Sequence, residues 1–246
     1  MHISSGVPNF DSLVGRGFLA GSFILLYGPA HVGKSVFCLQ FLCEGLKEGE
    51  TCIYIPFDQS PNEIRERMRR WGWNSTLYED AHKLTIVDCF TRAGRGERYS
   101  LKKLDDVDEM NALINEVLQD LGKEQEDNGG RIVFDSISSP LSAGASPDDL
   151  VKMIHSYKRS LPRELKSMMI VMHEGMQDAK FEASLSHAMD VVIEMRSKEE
   201  ENRIRRFIWV KAASNLKHSL EPHEYEITDN GLVILPKKGD KSISCE

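Results

Sequence analysis

The sequence lacks what a membrane span, a disulfide scaffold or a nucleic-acid glue would need. No apolar run approaches the roughly 20 residues that cross a bilayer. Cysteine is scarce: five residues, Cys38, Cys43, Cys52, Cys89 and Cys245, an odd number with no C-x-x-C pair. That excludes a zinc-ribbon pattern and a disulfide framework and predicts reduced thiols. Positive charge is in deficit, with Lys+Arg 31 against Asp+Glu 38 and a net charge of −7. Affinity for phosphate backbones scales with the cations offered, so general nucleic-acid binding is not expected. Residues Met1 to Ser12 have no basic n-region followed by an apolar h-region, so no signal peptide and a cytoplasmic location are expected.

A hydrophobic fraction of 41% and a charged fraction of 28% are those of a chain that folds around a core. At 246 residues it is long enough to do so without staples. Short apolar runs alternate with stretches of helical period. Phe23–Tyr27, Thr51–Phe57, Leu84–Phe90, Arg131–Asp135, Met168–His173, Asp190–Met195 and Phe207–Ala212 read as strands. Lys34–Lys47 carries apolar residues at helical spacing. Ser60-Pro61-Asn62-Glu63 combines an N-cap, Pro at N1 and Glu at N3, and starts a helix that runs to about Trp71. Further helices are expected over about Asp105–Leu121 and from the Ser146 cap to about Leu161. Tyr225–Thr228 and Leu232–Leu235 read as a hairpin across Asp229-Asn230-Gly231. The expectation is an α/β fold: a mostly parallel central sheet flanked by helices, with antiparallel strands and a C-terminal hairpin at one edge. One domain over residues 1–236 and a polar tail over 237–246 complete the organisation.

The sharpest motif is Gly28-Pro29-Ala30-His31-Val32-Gly33-Lys34-Ser35, which fits G-x-x-x-x-G-K-[ST] between a strand and a helix. Gly28 and Gly33 permit backbone angles that let successive N–H groups turn inward around phosphates. The helix that opens at Lys34-Ser35-Val36 adds its N-terminal dipole. Lys34 is the mobile cation for the terminal phosphates, and the Ser35 hydroxyl suits Mg²⁺. Asp135, at the end of an apolar strand about a hundred residues later, is the matching acidic partner for Mg²⁺. The cofactors expected are ATP and Mg²⁺.

The order of short motifs carries the reading further. Ser4-Ser5-Gly6-Val7-Pro8-Asn9-Phe10-Asp11, Gly17 and Gly21-Ser22 precede the loop. Gln40-Phe41-Leu42, Glu44-Gly45-Leu46, Phe57-Asp58-Gln59-Ser60-Pro61 and Trp71-Gly72-Trp73 follow it, then Phe134-Asp135-Ser136, Lys211 and Ile227-Thr228-Asp229. This series resembles the KaiC-like branch of the RecA superfamily of P-loop ATPases, in its single-domain archaeal form, over residues 3 to about 236. The resemblance implies a RecA-like core, ATP bound at subunit interfaces, and a homo-oligomer, usually a hexameric ring. It implies that Lys211 reaches the γ-phosphate of a neighbouring subunit and that Thr228 and Asp229 approach that neighbour's nucleotide. It places Arg70 against the nucleotide of its own subunit and Glu174 where a polar sensor stands.

Two departures bear on rate. The family's Glu-Glu pair is Asp58-Gln59 here. An Asp carboxylate stands about 1 Å or more further back than that of Glu, and a misplacement of that size can cost 10²-fold. The Arg of the family's Lys-Met-Arg-Gly is Ala213 here, with Lys217 and His218 as candidate substitutes. These substitutions predict ATP binding with slow hydrolysis, Asp58 serving as an impaired base. The competing, less favoured reading of Asp58 is a helix-side cap or a solvated loop acid. A non-hydrolysing scaffold for an unknown protein partner and a DNA-repair accessory are the alternatives. The loops that would hold DNA, Ile137–Ala145 and about Gly175–Ser186, offer one cation, Lys180. Arg65, Arg67, Arg69 and Arg70 crowd one helix, either as a ligand contact or as a solvated face balanced by Glu63 and Glu66.

Overall fold

The computed structural model describes residues 1–91, 97–124, 129–161, 166–200 and 203–236, the side chains of 122–124 excepted. Its elements run β1 (His2–Ile3), β2 (Phe18–Leu19), β3 (Phe23–Gly28), α1 (Lys34–Lys47), β4 (Thr51–Pro56), α2 (Pro61–Arg70), α3 (Ser75–Asp80), β5 (Leu84–Ile86) and α4 (Val107–Glu124). They continue β6 (Gly130–Asp135), α5 (Ser138–Ala143), α6 (Pro147–Ser160), β7 (Lys166–His173), α7 (Ala179–Ala188), β8 (Val191–Glu200), β9 (Arg203–Ala213), β10 (His223–Thr228) and β11 (Gly231–Ile234).

Nine strands form one sheet in the order β11-β10-β9-β8-β3-β7-β6-β4-β5. Every pair from β8 to β5 is parallel, and β8/β9, β9/β10 and β10/β11 are antiparallel. The parallel strands read as unbroken apolar runs because both sheet faces are covered. Ile24 and Leu26 of β3 face the layer that contains α1 and α2, while Leu25 faces α4, α6 and α7. Helix α1 is apolar nearly all round, Phe37 to Leu42 being buried, since sheet, α2, N-terminal segment and C-terminal hairpin enclose it.

Caps fix two helices as their sequences predict. At α2 the Ser60 hydroxyl accepts from the Glu63 N–H and the Glu63 carboxylate accepts from the Ser60 N–H, a full capping box. At α6 the Ser146 hydroxyl accepts from the Asp149 N–H.

The fold departs from the sequence expectation in three places. The strand expected over Leu84–Phe90 stops at Ile86, because the Asp88 carboxylate accepts from the N–H groups of Phe90 and Thr91 and turns the chain. The two stretches expected as loops contain α5 and α7, the latter started by Asp178 accepting from the Phe181 N–H. Strands β8 and β9 continue past their apolar segments as a ribbon of charged residues tied by pairs such as Arg205–Glu200. The tail 237–246, with Cys245, lies outside the described residues. Cys38, Cys43, Cys52 and Cys89 are free and buried.

Candidate functional site

The G-x-x-x-x-G-K-S loop leaves the C-terminal end of β3, the central strand, and enters α1. Ligands of parallel α/β sheets settle at this edge. Gly33, the residue before the helix, has φ +100°, and a Cβ there would meet the Ile227 side chain at 2.7 Å. The loop therefore needs glycine at Gly33 for its backbone turn.

A cavity of about 490 Å³ opens over the loop. Gly33, Lys34, Ser35 and Val36 line it, with Asp135 from the end of β6, Asp58 and Gln59 from the end of β4, and His173 from the end of β7. Arg67 of α2, Trp71 at the helix's C-cap and Ile227 of β10 also border it, with Ala30 and His31 of the loop and Tyr54 and Pro56 of β4. Four strand ends thus converge on one cavity, and the sequence assignments of Lys34, Ser35, Asp135 and Asp58 meet there.

Lys34 is buried, and its ammonium donates to the carbonyls of Gly28 at 2.8 Å and Pro29 at 2.6 Å. Its third contact is His173 Nδ1 at 3.2 Å. Burial pushes the histidine down, as does the nearby Lys34 charge, so the ring is neutral and carries its proton on Nε2. Burial also pulls the Lys34 ammonium down to about 8, against the opposing pull of Asp135. A phosphate would restore the charge. ATP affinity should therefore fall by up to tenfold per unit as pH rises above about 8, measured by calorimetry. An unfolded lysine titrates near 10.4 and binds more protons than Lys34 between about pH 8 and 10. Ligand-free stability should rise with pH through that window.

Asp135 accepts from the Tyr54 hydroxyl at 2.7 Å through Oδ2. Its Oδ1 has no hydrogen-bond partner among the described residues. An oxygen-only pair of Ser35 and Asp135 fits Mg²⁺, which takes its other ligands from water and phosphate. Among the described residues no cluster of three His, Cys, Asp or Glu side chains stands ready for a metal that needs a full protein cage. Asp58 is exposed and accepts from the Ser139 hydroxyl at 2.5 Å.

Other expected residues lie elsewhere. Glu174 is not in the cavity wall: its N–H donates to the Gly28 carbonyl at 3.0 Å and its carboxylate pairs with Arg196 at 2.8 Å, while its neighbour His173 is the side chain that contacts Lys34. Arg70 sits on the outer side of α2, and Arg67 reaches the cavity. Lys211 pairs with the buried Glu194 at 3.2 Å in a separate hollow of about 610 Å³ that also holds Tyr27 and Arg196. Ala213 is buried against the core, so its position points inward. His218 contacts the Leu216 carbonyl outside the cavity. Thr228 ends β10, one residue after Ile227, and Asp229 opens the turn to β11.

Sequence reasoning missed how the hairpin braces the loop. The Tyr225 hydroxyl donates to the Val32 carbonyl. The Gln40 side chain accepts from the Leu232 N–H at 2.7 Å and donates to its carbonyl at 3.0 Å.

A phosphate loop between the central strand and its helix, with an acidic residue two strands away at the same edge, defines a RecA-like P-loop protein that binds ATP. The chain belongs to the KaiC ATPase family, whose model, described as "ATPase: KaiC", matches residues 3–239. Among curated relatives it is 30% identical to a UPF0273 protein of Pyrobaculum aerophilum, over 95% of this chain and 82% of that one. A UPF0273 protein of Methanopyrus kandleri is 29% identical over 96% of this chain and 92% of its own length. The fold is also that of the crystal structure of a KaiC-like protein from Pyrococcus horikoshii, with a TM-score of 0.76, 22% identity, and 96% and 99% of the two chains covered.

Proposed function

We propose that the chain is a slow, Mg²⁺-dependent ATPase that works as a nucleotide-dependent oligomeric switch. The observation that carries this reading is the meeting of Lys34, Ser35, Asp135 and Asp58 at one cavity. Ser35 and Asp135 would hold Mg²⁺, which supplies charge neutralisation at the terminal phosphates. Lys34 would leave its loop carbonyls for the phosphates. Asp58 would orient the attacking water and take up its proton, at the reach of a short side chain.

The hollow at Lys211 supports an oligomer. Lys211 and Arg196 are bridged by the two oxygens of Glu194, and Arg196 is also held by Glu174. These two cations would face a neighbouring subunit's nucleotide, Arg196 standing in for the absent Arg at 213. Slow turnover follows from Asp58 and from cations that are neutralised until a neighbour docks.

Steady-state ATP hydrolysis with Mg²⁺, alongside size-exclusion chromatography with and without ATP, tests the reading. Asp58→Asn should fall to the background of Lys34→Ala. Asp58→Glu should raise kcat by about tenfold or more, since it returns the carboxylate the 1 Å whose loss costs up to 10²-fold. A wild-type turnover near 1 per second or faster would refute slow hydrolysis. ATP binding without turnover in either form would favour the scaffold.

A further inference from the structure

We infer that Ser139 is a positioning residue for Asp58: its hydroxyl holds one carboxylate oxygen and leaves the other for the attacking water. The inference rests on the role proposed above for Asp58. It names what lets a short, exposed side chain serve in that role.

An aspartate beyond a strand end has two side-chain torsions and several staggered positions for its carboxylate. Asp58 follows β4 and is exposed, so packing does not choose among those positions. One contact does. The Ser139 hydroxyl donates to Asp58 Oδ1 at 2.5 Å. An ionised carboxylate only accepts, so the hydroxyl proton is committed there. Oδ2 has no hydrogen-bond partner among the described residues. Asp58 borders the phosphate cavity and Ser139 does not, so the hydroxyl engages the carboxylate from outside that wall.

The donor is itself fixed. Ser139 is the second residue of α5, which begins just beyond β6. The Ile137 N–H donates to the Val171 carbonyl at 3.0 Å, and the Ser139 N–H to the Ser136 carbonyl at 3.3 Å. The buried Ser138 hydroxyl accepts from the His173 N–H at 2.9 Å. Two adjacent hydroxyls thus tie the ends of β4 and β7 to the start of α5. Asp58 is oriented by that frame before any nucleotide arrives, which is the condition under which a reacting group gains from its placement.

The test measures kcat, KM and calorimetric ATP affinity of the full chain with Mg²⁺. Ser139→Ala should lower kcat about tenfold, inside the 10²-fold that a misplacement of about 1 Å can cost. Its KM and ATP affinity should stay within twofold of wild type. Ser139→Thr keeps a hydroxyl and should hold kcat within threefold. Coupling to Asp58 is the readout that a structural serine would not move. A glutamate carries its carboxylate about 1 Å further, past the reach of the Ser139 hydroxyl, so in an Asp58→Glu background Ser139→Ala should cost less than threefold. A tenfold loss in that background as well would make Ser139 merely structural and overturn the proposal. So would a fall in ATP affinity as large as the fall in kcat. A Ser139→Ala kcat within twofold of wild type, or above it, would overturn it too, since the hydroxyl would then be idle or would hold Asp58 back. Wild-type hydrolysis that is absent, or that Asp58→Asn leaves unchanged, would instead overturn the role of Asp58 itself.

Discussion

Lys34→Ala is expected to weaken ATP binding by about 10² or more and to abolish hydrolysis, with the ligand-free Tm held within a few degrees. A unit charge about 4 Å from a phosphate, at an effective dielectric of about 20, is worth about 4 kcal/mol, or nearly 10³-fold. Part of that is offset because the lysine must leave the Gly28 and Pro29 carbonyls and His173. The free protein gains little from this charge. Burial already pulls Lys34 down to about 8, so its removal does not cost the fold what it costs the ligand. Thermal shift separates the two effects. A ligand at a hundred times its Kd stabilises by about 2.7 kcal/mol, and the variant should keep about 0.4 kcal/mol of that or less at the same ATP concentration. A Lys34→Ala protein that keeps the wild-type shift would place the nucleotide elsewhere.

Local signals carried most of the site, and distant contacts carried the rest. The phosphate loop and the Ser60 capping box depend on residues within a few positions of one another, so spacing alone reveals them. The end of β7 shows how a single position decides a role. His173, the last residue of β7, meets Lys34, while Glu174, the first residue of the turn that follows, meets Arg196. The resemblance supplied the strand end but not the residue. On α2 the signal for Arg67 was present. Ile64 is buried, and Arg67 and Trp71 follow at spacings of three and four, whereas Arg70 falls outside that stripe. The bracing of the loop by Gln40 and Tyr225 spans 192 and 193 residues of sequence, and no pattern in a single chain announces it. It does explain two short motifs: Gln40 holds the hairpin, and Gly45 leaves room for a buried guanidinium.

That guanidinium belongs to Arg131, and Arg131→Met is expected to destabilise the protein by about 3–5 kcal/mol, the cost of breaking a buried ion pair from one side. In the strand read from the sequence over Arg131–Asp135, Arg131 is 0% exposed. All five of its N–H groups are used. Nε donates to Glu50, Nη1 to the carbonyls of Ser4 and Phe41, and Nη2 to Glu48 and Glu50, at 2.6–3.1 Å. The charge lies 4.6 Å from the centre of the Phe41 ring. A Cβ on Gly45 would come within 2.5 Å of Nε. One side chain thus ties β6 to α1, to the turn before β4 and to the N-terminal segment. Methionine fills much of the volume but leaves the buried Glu50 carboxylate without its partner. At about 2–4 °C per kcal/mol for a chain of this size, Tm should fall by about 6–20 °C. Adding Glu50→Gln should recover part of the loss, because the orphaned charge goes with it. Arg131 and Asp135 lie four residues apart on one face of β6, about 13 Å from end to end. The strand keeps its register through β4 and β7, so ATP affinity of the folded variant should stay within about threefold of wild type. A Tm within 3 °C of wild type would show that the pairs contribute no more than the apolar contacts that replace them.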